Sequence, residues 1–325
     1  SIAGHLRAAD PSSRAAADRL VLTASTSEAY GFLFKLLCDP GDRILVPAPS
    51  YPLFEYLAAL EGVTVTTYPL VLEDRFRYDV DAVAAALHPA AGPAPRALVL
   101  VNPNNPTGTG LTASDRAALD RLAAAAGVAI ISDEVFLDYP WADPIASAAA
   151  PDGDAGPAAL TFTMGGLSKG SALPQMKLGW ILVSGPDGAT SEALDRLDLI
   201  ADSYLSVGTP VQAAAPRLLE MGSGLAGAVR ERLRVNLAHI QAALSPVSAC
   251  RLLPADGGWS AVLQVPAVRP EEELVVTLLR DENVLVHPGY FFDFPTEAFL
   301  VISLLPDPAR FMQGLGRLLR VVDGT

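Results

Sequence analysis

Along the first 184 residues, short uninterrupted apolar runs alternate with longer segments whose apolar positions recur at helical spacing. Two of the runs, Ala97–Val101 and Val128-Ala-Ile-Ile131, carry no polar residue at all. Strands of that kind are buried on both faces, which places them in a parallel or mixed sheet covered by helices on each side. Seven strands are expected, at 20–23, 43–47, 63–68, 97–101, 128–131, 159–164 and 178–184. Helices are expected between them at 28–37, up to 60, at 80–87 and at 113–126, and a further one follows at 190–201. The order predicts an α/β fold, a three-layer large domain around a mostly parallel seven-stranded sheet.

Residues 1–19 read as a helix tail and a linker, with Asp10-Pro-Ser-Ser13 as the breaker. Beyond the large sheet the pattern changes. A long helix at about 226–244 predicts a bridge, followed by strand (259–265), helix (271–280), strand (283–287), loop (288–295), strand (299–304) and helix (309–321). This order suits a smaller α+β domain, dividing the chain into residues 1–225 and 226–325.

Composition narrows the function classes. With 325 residues, half of them hydrophobic, the chain is long enough for a large core and is not a disordered segment. A net charge of −13 argues against nucleic acid or an anionic membrane surface as partner, since both require clustered Lys and Arg. Cys38 and Cys250 are isolated thiols without metal-type spacing, which fits a reducing compartment. With no signal peptide and no bilayer-length apolar run evident, a cytoplasmic location is expected.

The candidate chemistry lies on loops after strands. In open α/β sheets ligands gather beyond the carboxyl ends of the strands. Ser25-Thr-Ser27 leads from a strand into a helix, where free N–H groups, hydroxyls and the helix dipole favour an anion, although the same residues serve as an ordinary N-cap. Tyr51, held extended by Pro52, suits stacking on a flat ligand or packing within its loop. Asn105 belongs to the turn-rich run Asn102-Pro-Asn-Asn-Pro-Thr-Gly108. Asp133 directly follows an apolar run, where a carboxylate needs a cationic partner or donors. Lys169 is one of only three lysines among twenty-three Lys and Arg residues. In so arginine-rich a chain, a lysine in a Gly-Gly-Leu-Ser loop suggests that the amine itself is wanted, because only an amine forms a Schiff base.

In this order Thr23-Ala-Ser-Thr-Ser-Glu-Ala29, Pro49-Ser-Tyr-Pro52, Asn104-Asn-Pro-Thr-Gly108, Asp133-Glu-Val135 and Ser168-Lys169, with Pro174, Lys177 and Gly179-Trp180, resemble the class I/II aminotransferases of fold type I. The resemblance implies pyridoxal 5′-phosphate as cofactor. Lys169 would hold it as a Schiff base and move a proton, and Asp133 would pair with the pyridine nitrogen. Asn105 would reach the ring oxygen and Tyr51 the ring face. Ser25, Thr26, Ser27 and Lys177 would hold the phosphate, with Ser168 and Phe136 beside the ring. It further implies a homodimer, an amino donor and a keto-acid acceptor.

Four positions depart from the family pattern. Lys177 stands where an arginine is usual, Phe136 where a tyrosine often donates to the ring oxygen, and Gly166 where a serine often helps with the phosphate. Val301, in Val301-Ile302-Ser303, replaces the arginine that grips the substrate carboxylate. The loop 288–295 resembles the family's substrate-facing segment, so Tyr290 is expected to shape the substrate pocket. Competing readings are a β-lyase that uses the same lysine and a non-catalytic module of the same fold. A nicotinamide dehydrogenase is not supported, because no Gly-x-Gly-x-x-Gly follows a strand.

Overall fold

The structure, a computed structural model, describes residues 1–325 except 10–14, 91, 151–155, 245–247 and 325. The expected breaker at Asp10-Pro-Ser-Ser13 lies outside the described residues. In chain order the elements are α1 (Ile2–Ala9), β1 (Leu20–Thr23), α2 (Thr26–Leu37), β2 (Arg43–Ala48), α3 (Phe54–Leu60), β3 (Thr64–Leu72), β4 (Phe76–Tyr78), α4 (Val80–Leu87), β5 (Ala97–Val101), α5 (Ala113–Ala126) and β6 (Ala129–Asp133). They continue with β7 (Thr161–Gly166), α6 (Leu167–Gly170), β8 (Gly179–Ser184), α7 (Asp187–Tyr204) and α8 (Thr209–Ala243). The last group is β9 (Arg251–Leu252), β10 (Ser260–Gln264), α9 (Glu271–Glu282), β11 (His287–Pro288), β12 (Phe299–Ser303) and α10 (Pro308–Asp323).

The large sheet has eight strands in the order β1-β8-β7-β6-β5-β2-β3-β4, one more than expected. All seven expected strands are present. The addition, β4, pairs antiparallel with β3 at the edge; three residues, Phe76-Arg77-Tyr78, are too few to show a strand pattern. β8 is the second reversed strand, antiparallel to both β1 and β7, while the remaining pairings are parallel. Burial on both faces is literal in β5. Ala97, Val99 and Val101 join one core cluster with α2, α3 and α7, whereas Leu98 and Leu100 join the opposite cluster with α4 and α5.

The long helix α8 begins at Thr209, well before the expected start at 226, and continues through Pro216. Pro216 and two glycines, Gly222 and Gly224, obscure the helical pattern in that half. One of them, Gly222, sits so close to the loop after α6 that a Cβ there would lie 2.3 Å from Ser171 Cβ. Leu219 packs with Leu167 of α6 and Trp180 of β8, and Ala226 with the second core. We propose the division at 225/226 on the ground of this change in core.

The second unit is a four-stranded antiparallel sheet, β11-β12-β10-β9. The expected strand at 283–287 is mostly unpaired. Asn283 caps α9 in the left-handed conformation, Val284 and Val286 bury their side chains in the core without a ladder, and pairing starts only at His287.

Candidate active site

The loops that follow β1, β2, β5, β6 and β7 converge on one cleft of about 340 Å³, within the size range of small-molecule sites. The first wall is the N-terminus of α2. This helix starts at Thr26, earlier than the pattern suggested, so Thr26 and Ser27 occupy its first turn and Ser25 is the N-cap, its hydroxyl accepting from the Glu28 N–H at 3.2 Å. The capping reading holds for Ser25, whose hydroxyl is spent on the cap, while Ser25, Thr26 and Ser27 all line the cleft. Lys177, in the left-handed conformation after a 3-10 turn at Pro174–Met176, faces the same wall.

Asp133 ends β6 and reaches the cleft beside Val135 and Phe136. No helix follows it. Its Oδ1 accepts from the Val135 N–H and its Oδ2 from the Tyr30 hydroxyl, each at 3.2 Å. Burial pushes its pKa up to about 6, and this outweighs the opposing effects of those two donors and of the Lys169 charge. The neighbouring Glu134 turns away from the cleft and accepts from Ser132, Ser147 and the Ala148 N–H, and burial raises it to about 7.

Tyr51 is 42% exposed on the cleft rim. The two adjacent asparagines divide their work. Asn104 ties two loops together by donating to Pro49 O at 2.8 Å and accepting from Ser50 at 3.0 Å, while Asn105 lines the cleft. Ser168 and Lys169 lie on α6, a single helical turn where a plain loop was expected, and the Tyr139 hydroxyl donates to the Lys169 carbonyl at 2.6 Å. The Lys169 ammonium lies 6.0 Å from the Phe136 ring centroid and 5.1 Å from that of Trp259.

All ten sequence-predicted residues of the cofactor set therefore meet at one cleft. Tyr290 does not. It is half exposed on a 3-10 turn, Gly289–Phe292, with its ring against Phe291 and its N–H donating to Glu271. The loop does reach the rim, where Phe292 O accepts from the Ser50 N–H at 2.9 Å. Val301 is buried in an apolar cluster with Val262, Phe294 and Phe299. Tyr30, Tyr139 and Trp259 went unnoticed in the sequence. Tyr30, on α2 seven residues after Thr23, carried a signal as a polar-tipped residue on a buried helix face; the other two are brought in only by tertiary packing.

The profile of the family described as "Aminotransferase class I and II" matches residues 3–313. Nicotianamine aminotransferase 1 of Oryza sativa is 29% identical over 224 residues, covering 68% of this chain but only 43% of that protein. Alanine aminotransferase of Mycobacterium tuberculosis is 28% identical over 319 residues, covering 93% of this chain and 71% of that protein. The chain thus spans less than half of the rice protein's length. Among solved structures, alanine aminotransferase from Pyrococcus furiosus superposes over 100% of this chain and 81% of its own with a TM-score of 0.85 at 22% identity, a likeness of fold. Among the described residues no helix is long and apolar enough to cross a membrane.

Proposed function

The chain belongs to the class I and II aminotransferase family, whose cofactor is pyridoxal 5′-phosphate, and on that premise we propose that it transfers an amino group from an amino donor to a keto acid by a ping-pong route. The observation that carries the proposal is the convergence of Lys169, Asp133 and the N-terminus of α2 on one cleft.

The residues present fit the cofactor. A phosphate needs a helix N-terminus and a cation, and the cleft has both in α2 and Lys177. Gly166 and Gly179, which both line the cleft, let β7, β8 and the end of β1 approach closely there: a Cβ on Gly179 would lie 3.0 Å from Thr23 Oγ1, and one on Gly166 3.1 Å from Gly179 Cα. When bound, the cofactor supplies an aldehyde and an electron-withdrawing ring that stabilises negative charge on the substrate carbon.

The side chains then have distinct tasks. Lys169 Nζ provides the amine and carries the proton that is taken from the substrate carbon and returned. Asp133 would accept from the ring nitrogen, and the Tyr30 hydroxyl, which donates to it, would keep its carboxylate oriented and ionised. Thr26, Ser27, the free N–H groups of α2 and Lys177 would hold the phosphate, Lys177 as a point charge without the bidentate fork of an arginine. Asn105 would serve the ring oxygen without help from Phe136, which has no donor. Tyr51 would cover the ring face. With Val301 short and buried, that position offers no fork for a carboxylate, so substrate preference rests on the rest of the cleft and on a second subunit of a homodimer.

The test is steady-state kinetics with a panel of amino donors and keto acids. Parallel double-reciprocal lines and conversion of keto acid to amino acid support transfer. Release of ammonia and a keto acid from one substrate, with no acceptor required, overturns it in favour of elimination.

A further inference from the structure

Two aromatic rings, one from each unit, face the amine of Lys169, and a third, that of Tyr139, packs against the tryptophan. Trp259 lies immediately before β10, and its ring centroid is 5.1 Å from Lys169 Nζ, with that of Phe136 at 6.0 Å. Trp259 meets Phe136 edge-on at 5.4 Å and Tyr139 at 5.2 Å. Tyr139 is fully buried and is itself bonded to the Lys169 carbonyl. The backbone fixes the tryptophan from two sides: the Gly258 N–H donates to Tyr139 O at 2.9 Å, and Trp259 O accepts from the Leu304 N–H at 2.8 Å. The indole N–H is buried and makes no hydrogen bond, so the ring is held by its faces and edges and by its backbone.

We propose that Trp259 is a positioning residue for Lys169: its indole face, with Phe136 beside it, docks the lysine amine whenever that amine is not covalently engaged. The proposal rests on the Schiff-base role of Lys169. A lysine ends in a four-carbon stem with several rotatable bonds, and a free amine in an open cleft samples many positions. The indole face attracts the cationic amine more strongly than any other aromatic ring within about 6 Å. The Trp259 ring belongs to the second unit and the lysine to the first, so docking also makes the lysine's position depend on how the two units sit against each other.

The chain's three lysines make the idea measurable residue by residue. In the cofactor-free protein, limiting amounts of an amine-acylating reagent label Lys169 and Lys177, and mass spectrometry of the peptides gives their ratio. Trp259→Leu removes both the cover and the attraction for the ammonium form. The Lys169/Lys177 ratio is expected to rise roughly three- to tenfold, the size of a cation–π contact, whereas Trp259→Phe stays within about twofold of the parent. Phe136→Leu gives a smaller rise in the same direction and serves if Trp259→Leu does not fold. In the cofactor-loaded protein Trp259→Leu is expected to lower kcat with little change in KM, with Trp259→Phe restoring most of the loss. An unchanged labelling ratio in a folded Trp259→Leu or Phe136→Leu protein overturns the proposal. Because labelling needs neither cofactor nor substrate, its failure leaves the transfer reaction standing, and failure of the transfer reaction leaves the labelling result readable.

Discussion

The Tyr30 hydroxyl donates to Asp133 Oδ2 at 3.2 Å, joining the first helix behind the cleft to the end of the central strand β6. Burial opposes ionisation of Asp133, and the tyrosine is one of the contacts that partly offset it. Tyr30→Phe removes a hydrogen bond to a charged group, worth about 1.5 kcal/mol, or about one pH unit. Cofactor affinity, which needs the carboxylate form, is expected to develop at a pH about one unit higher in the variant. Titrating cofactor binding by absorbance between pH 5 and pH 9 checks this; coincident profiles for parent and variant contradict it.

Asp133 also predicts a pH dependence of folding. Its pKa is about 6 in the folded chain against the ordinary 3.8 of an unfolded one, so between these values the folded state binds the extra proton. A raised acid pKa therefore costs stability as pH rises through the window, and the cost is complete above pH 6. Asp133→Asn in the cofactor-free protein is expected to be more stable than the parent at pH 8, by at most about 3 kcal/mol, with the difference vanishing towards pH 4. Urea unfolding at both pH values measures it. A variant less stable than the parent at pH 8 refutes this account of the site.

Lys177 is one of two cations that line the cleft, with Lys169. If it serves the phosphate, Lys177→Ala weakens binding of pyridoxal phosphate about tenfold, a loss of about 1.4 kcal/mol. Binding of pyridoxal, which lacks the phosphate, is expected to be unaffected. Equal losses for the two ligands exclude the assignment.

Gly222 tests how α8 supports the lysine loop. Glycine to alanine inside a helix ordinarily gains about 0.5–1 kcal/mol. Here the new Cβ meets Ser171 Cβ and Oγ at 2.3 Å, and relieving such overpacking costs about 1–3 kcal/mol. The clash wins, so Gly222→Ala is expected to lower the urea midpoint and, by shifting Ser171, two residues beyond Lys169, to reduce kcat. A more stable variant would show that the loop yields freely.

The large sheet was legible because burial on both faces leaves an unbroken apolar run, as in Ala97–Val101. The convergence of the ten residues on one cleft was legible for a related reason: each lies within a few positions of a strand end, so local sequence carries its place. What failed to show was whatever depends on distant packing. Three residues of β4 are too few for a period, and the first half of α8 hides behind Pro216 and behind Gly222, which serves close approach rather than helix propensity. Trp259 lies ninety residues from Lys169, and no spacing rule connects them. Tyr290 was expected at the pocket from its loop, but that loop offers the rim a backbone carbonyl, Phe292 O, and turns the tyrosine towards solvent.

Lys169 is proposed as the amine that bonds to the cofactor. Borohydride reduction of the pyridoxal phosphate-loaded protein, followed by peptide mass spectrometry, addresses it directly, since a reduced Schiff base stays fixed to its lysine. The cofactor is expected on Lys169 alone, with no adduct and no visible absorption band in Lys169→Ala. Cofactor fixed to Lys35 or Lys177, or an undiminished band in Lys169→Ala, would contradict it.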